Sequence, residues 1–93
     1  TFKPKYISIP LNRVIYKDIN YKKIRSLNDA VINKANLSPS PKSLAKIIKK
    51  GYRLKSIKLI KKNNKYYIKE GRLRFWAHVI AYGFQKRIKM LEE

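Results

Sequence analysis

The sequence predicts an α+β domain: a small mixed sheet packed with about three helices. Three observations lead there. Short stretches of alternating apolar residues, as in "SIKLI" and "KYYI", have the period of strands. Two longer stretches, "SLAKIIKK" and "RLRFWAHVIAY", have helical spacing. The three glycines, Gly51, Gly71 and Gly83, all fall between such stretches, as backbone punctuation does. At 93 residues the chain has room for one such domain.

The elements follow in order. "KYISIPLNRVIY" alternates Ile7 and Ile9, then Leu11, and reads as a first strand ended by Pro10. "KDINYKKIR" is polar and irregular, with Ile19 and Ile24 as its anchors. Ser26 and Asp29 have the spacing of a helix cap, and Leu27, Ala30, Val31 and Ala35 recur near helical spacing. They predict a short helix over Leu27 to Lys34. The proline-bracketed "NLSPSP" is a loop. The next helix is the clearest: Ser40 suits its cap, Pro41 its first position and Gly51 its exit. Leu44, Ile47 and Ile48 give it one buried stripe. "LKSIKLIKKNNKYYIKEG" is a hairpin, with Ile57 and Leu59 on one arm, Tyr66 and Ile68 on the other, and "NNK" for the turn. "RLRFWAHVIAY" is the third helix. "KRIKML" closes the chain as a short strand with Ile88 and Met90 on one face.

Charge narrows the function. The chain has 24 Lys+Arg against 5 Asp+Glu, a formal net charge of +19. Self-repulsion of that size works against a compact monomer, and a polyanion relieves it. DNA is the first expectation, with RNA as the alternative. No apolar run approaches the ~20 residues of a membrane span, and no signal peptide is visible, so a membrane partner is not expected and a cytoplasmic location follows by default. A homodimer or larger assembly is open. The chain has no cysteine and a single histidine, His78. That excludes disulfides, thiol catalysis and His- or Cys-based metal clusters. The lysine and isoleucine bias suits an AT-rich genome, such as that of a plasmid or virus.

Three segments then carry a resemblance. "YISIPLNRVIY", "SLAKIIKKGYRLKSIKLI" and "KYYIKEGRLRFWAHVIAYG", in that order, resemble the successive signatures of the ParB-like N-terminal domain. The resemblance spans Tyr6 to about Leu91. It implies the ParB/sulfiredoxin-like α+β fold, and a single ParB-like domain over residues 1–93 without the helix-turn-helix domain that follows in ParB proteins. In that family a G-x-R-R loop binds nucleotide phosphates, CTP in partition proteins. Some relatives are nucleases or ATPases, and sulfiredoxins place a reactive cysteine in the corresponding loop. Here the motif is degenerate: Leu73 stands at the first arginine and Arg74 at the second. No cofactor is expected from the residues themselves; a nucleotide or divalent metal enters only through the resemblance.

The "EGRLR" turn has a rationale as an anion site. A helix N-terminus offers free N–H groups, Gly71 permits close approach, and Arg72 and Arg74 add forked donors. The alternative is a plain strand-to-helix turn with two solvated arginines. On the third helix Arg74 and His78 share a stripe without bulky apolar groups, expected to face solvent together. His78 then either contacts phosphate or base, or simply fills the surface. Glu70 is the one acid beside the loop, with Asp18 able to approach it. It is either the catalytic carboxylate of a nuclease or nucleotide hydrolase, or the partner of a nearby cation. The second-helix lysines Lys46, Lys49 and Lys50, with Arg53, Lys55, Lys58 and the remaining hairpin lysines, are expected to form one phosphate-binding face. Aromatics interleaved with cations, at Tyr16, Tyr21 and Tyr52, suit single-stranded nucleic acid.

Overall fold

The computed structural model describes residues 5–15, 26–33, 36, 38 and 40–93. Alternating apolar residues build five strands: β1 (Lys5–Pro10), β2 (Val14–Ile15), β3 (Lys58–Lys62), β4 (Lys65–Glu70) and β5 (Arg87–Glu92). They form a sheet in the order β1-β5-β3-β4-β2. Pairing is antiparallel for β1 with β5 and for β3 with β4, and parallel for β3 with β5 and β2 with β4. The sheet is therefore mixed, as the sequence predicts. Three helices complete the fold: α1 (Leu27–Val31), α2 (Pro41–Lys49) and α3 (Arg72–Tyr82). Strand β2 is not foreseen in the sequence. It is two residues long and follows a single 3-10 turn, Leu11–Arg13, too brief to show a period.

The local signals act as expected. Asn63 and Asn64 both take positive φ, 52° and 64°, between the paired Lys62 and Lys65. That is a two-residue type I′ hairpin, and asparagine tolerates it better than most side chains. Ser40 caps α2 by accepting from the Ser43 amide at 3.1 Å, with Pro41 at the first position. At the other end the Gly51 amide donates to the Ile48 carbonyl and the Tyr52 amide to the Ile47 carbonyl. This is the Schellman closure, and Gly51 supplies its left-handed residue at φ 98°. Ser26 caps α1 through the Asp29 amide. That helix ends at Val31, short of the predicted Lys34, because Asn33 turns to φ 54°. Lys34 and Ala35, with the Ile19 and Ile24 anchors and Tyr16, Asp18 and Tyr21, lie outside the described residues.

The core lies between the sheet and the helices. Leu59, Ile68 and Met90 from the strands meet Phe75, Trp76 and Val79 from α3. Two expectations change here. The buried stripe of α2 runs through Pro41, Ala45 and Ile48, while Leu44 is half-buried and Ile47 is 39% exposed. Helix α2 packs extensively against α3, and the small Ala45 is buried. The hairpin lysines also do not share one face. Side chains alternate across a strand, so Lys61 lies on the same side as buried Leu59, against Tyr66, and Lys58 and Lys62 lie on the other.

The caps and the core should respond to mutation on different scales. Ser40→Ala is expected to cost about 0.5–2 kcal/mol, the loss of one helix cap. Leu59→Ala is expected to cost about 2–5 kcal/mol, the loss of a fully buried side chain. Urea unfolding of the two variants beside the parent measures both; equal losses would show that the sheet face is not the core.

Candidate anion-binding site at the start of α3

Strand β4 ends at Glu70 and α3 begins at Arg72, so Gly71 must turn the chain in one residue. It does so at φ 106° and ψ 31°, a left-handed conformation that side chains with a Cβ rarely take. Gly71 is the cap residue of α3 and has no side chain to satisfy the first amides. Its carbonyl accepts from the Phe75 amide at 2.8 Å, which starts the helical ladder. The remaining N-terminal amides point outward with the positive end of the helix dipole.

Arg74 folds back over this glycine. A Cβ at position 71 would lie 2.8 Å from Arg74 Nη2 and 3.0 Å from Nε. The glycine thus serves twice: it makes the turn and leaves room for the guanidinium. Nε and Nη2 are both buried and have no hydrogen-bond partner among the described residues. Buried donors without an acceptor are costly, and an anion placed there would remove the cost. The site opens into a cavity of about 490 Å³, lined by Lys55, Lys69, Glu70, Gly71, Arg72 and Arg74 over the apolar side chains of Leu44, Leu54 and Leu73.

Glu70 is engaged as an ion-pair partner. It lies 3.4 Å from Lys58 Nζ and 4.0 Å from Lys55 Nζ, and its side chain is 49% exposed. The hydrogen bond and charge of Lys58, then the charge of Lys55, hold its carboxyl below the ordinary carboxylate value. A carboxylate so stabilised is a weak proton acceptor and gives no general acid at neutral pH. No group of three or more His, Cys, Asp or Glu side chains with metal-ligand geometry occurs among the described residues.

The structure separates residues that the sequence groups. Arg74 and His78 do not face solvent together; both are half-buried. Their stripe of α3 is turned toward α2 and the segment after it, since Arg74 shares its cavity with Leu44 and Leu54, and His78 lies with Ile48 and Leu54. His78 Nδ1 donates to the Arg74 carbonyl at 2.7 Å. Burial pushes the imidazole below its ordinary value, and the neighbouring Arg74 charge adds to that against the opposing hydrogen bond. His78 and Arg53 belong to a second cavity, at the other end of α3. Lys46, Lys49 and Lys50 are exposed on the far half of α2 and line neither cavity. So Glu70, Gly71, Arg72, Arg74 and Lys55 come together, with Lys58 joined through Glu70. Lys69, Leu44 and Leu54 are site residues missed in the sequence. The alternation of β4 marks Lys69 as exposed, but nothing local shows that α2 brings Leu44 to this turn.

In fold the chain is similar to sulfiredoxin from Arabidopsis thaliana. The two align with a TM-score of 0.63 and 18% identity, over 97% of this chain and 85% of that one. The architecture is thus a ParB/sulfiredoxin-like α+β fold, and the likeness extends to the fold alone. No protein-family model and no curated protein matches the sequence. With no cysteine, this chain supplies no thiol chemistry. No helix among the described residues is long and apolar enough to cross a membrane.

Two outcomes test this geometry. Gly71→Ala is expected to destabilise by about 1–3 kcal/mol, from a strained φ and a collision with Arg74. In an Arg74→Ala background the collision is gone, and the cost is expected to fall by at least about 0.5 kcal/mol; a double-mutant cycle in urea reads the difference. The second outcome concerns pH. The folded value of His78 lies below the ordinary 6.5. Its contribution is therefore complete above about pH 6.5 and is lost as pH falls through the folded value. As the chain has one histidine, the slope of stability between about pH 6.5 and 5 belongs to it. His78→Gln is expected to flatten that slope.

Proposed function

We propose that this protein binds nucleic acid, DNA before RNA, by gripping backbone phosphates at the start of α3. The observation that carries the reading is the pair of buried Arg74 N–H groups without an acceptor among the described residues, set beside a helix N-terminus with no side-chain cap. Helix amides, a permissive glycine and a forked guanidinium are the donors a phosphate takes. Arg72, Lys55 and Lys69 add positive charge around the same cavity. The net charge of +19 favours a polymer of phosphates over a lone ion, since one small anion leaves the self-repulsion almost untouched. The likeness of "EGRLR" to the phosphate-binding loop of ParB proteins points the same way. Such contacts position the protein on the backbone and read little sequence. Binding is favoured over cleavage, because Glu70, the carboxylate that lines the cavity among the described residues, is committed to Lys58 and Lys55.

Anisotropy titrations of labelled DNA test this. Affinity is expected to drop steeply between about 50 and 200 mM salt, because each neutralised phosphate releases counterions. Arg74→Gln is expected to weaken binding about tenfold and to lower the salt slope by about one. Affinity indifferent to salt would reject the reading. With Mg²⁺ or Mn²⁺ added, the DNA is expected to stay intact.

A further inference from the structure

The opposite end of α3 carries a second cavity, of about 590 Å³, whose lining is unlike the first. Tyr52, Arg53, His78, Tyr82 and Lys86 surround it, and among the described residues no acidic one lines it. Tyr52 is 67% exposed and Tyr82 is 45% exposed. Neither ring sits on a loose segment. The Schellman closure of α2 pins the Tyr52 backbone to the Ile47 carbonyl. Tyr82 is the last residue of α3, fixed before Gly83, whose amide donates to the Val79 carbonyl at 2.7 Å. Two large rings are thus held out on rigid backbone at two helix ends around one concavity. Lys86 Nζ lies 5.4 Å from the Tyr82 ring centroid, which puts a cation against the same aromatic surface.

This cavity adjoins the first. Leu54 lines both. Arg74 and His78 are four residues apart, about 6 Å along α3. The His78 Nδ1 bond to the Arg74 carbonyl engages one ring nitrogen within α3. A track therefore runs beside α3, with a phosphate-type site at its start and an aromatic, cationic site at its end.

We infer that this track takes single-stranded nucleic acid, with an unpaired base stacked on Tyr52 or Tyr82 and its flanking phosphate held by Arg53 and Lys86. The inference rests on the phosphate reading above and adds a second contact and a strand type. Stacking on an exposed tyrosine needs a base with a free face. In a duplex both faces of an interior base are already stacked, and its edges lie in the grooves. A splayed single strand presents its bases. The cations beside the rings then meet the phosphate that comes with each base.

Anisotropy titrations of a single strand and a duplex of equal length, at one salt concentration, decide it. The single strand is expected to bind at least about tenfold more tightly. At least one of Tyr52→Ala and Tyr82→Ala is expected to weaken single-strand binding at least about fivefold and duplex binding less than about twofold, the loss of one stacking partner. Tyr52→Phe is expected to retain binding. Both rings are exposed, so circular dichroism of these variants should match the parent. Arg74→Gln should weaken both forms alike. Equal affinity for the two forms, or unchanged single-strand binding in both alanine variants, overturns this inference and leaves the phosphate reading standing. Full competition by a free mononucleotide at about millimolar concentration overturns the strand assignment. Binding of neither form overturns both readings.

Discussion

The structure hangs on the burial of Trp76. Its side chain is fully enclosed, as are those of its neighbours Phe75 and Ala77. The Trp76 ring meets Phe75 edge-on at 5.2 Å between centroids and Phe84 edge-on at 6.4 Å. Adjacent helical residues point in different directions, so three consecutive buried side chains require α3 to be covered on most of its circumference. The sheet covers one side through Leu59, Ile68 and Met90, and α2 and α1 pack against the others. A helix held so firmly cannot adjust its ends. The position of Gly71, the curl of Arg74 and the exposure of Tyr82 all follow from where Trp76 sits.

That core must also hold against charge. The acids are placed to offset repulsion mainly where strands lie side by side. Glu92 pairs with Lys5 across the β1–β5 edge, Glu93 with Lys69, and Glu70 with Lys58 and Lys55. Exposed pairs of this kind add little stability each. Their effect is on distribution: these three carboxylates lie at strand ends. Arg72 and Arg74 line the first cavity beside Glu70, and Arg53 and Lys86 line the second.

The kinds and order of the elements are legible in the sequence because their signals are local. Ser40, Pro41 and Gly51 bound α2 by backbone chemistry alone, and Asn63 with Asn64 makes the hairpin without help from the rest of the chain. Burial of particular faces is less legible. Leu44, Ile47 and Ile48 are equally apolar, and only the approach of α3 selects the side bearing Ala45. The same limit explains the site. Arg74 and His78 read as a solvent-facing stripe because they are polar, yet a stripe lacking bulky groups is also where another helix can come close. Gly71 reads as a turn, but that its missing Cβ makes room for a guanidinium is a three-dimensional fact. Tyr52 and Tyr82 lie thirty positions apart and reach one cavity only through the packing of α2 on α3.

Leu73 gains meaning from that packing. In the resemblance to ParB it takes the place of an arginine, which looks like a simple loss. In the structure it lines the cavity together with Leu44 and Leu54. Three leucines share the cavity lining with the guanidinium-bearing Arg72 and Arg74, which makes the site partly apolar with few forked donors. Low local polarity strengthens each charged contact that does form. It also limits how much negative charge can be held, because a triphosphate needs donors on several sides at once. On the proposed phosphate reading, such a site suits a single phosphate of a continuous backbone better than a compact nucleotide triphosphate, with the rest of the polymer's charge met by cations farther along α3. A leucine at position 73 then fits a loop that holds one link of a chain rather than one highly charged ligand.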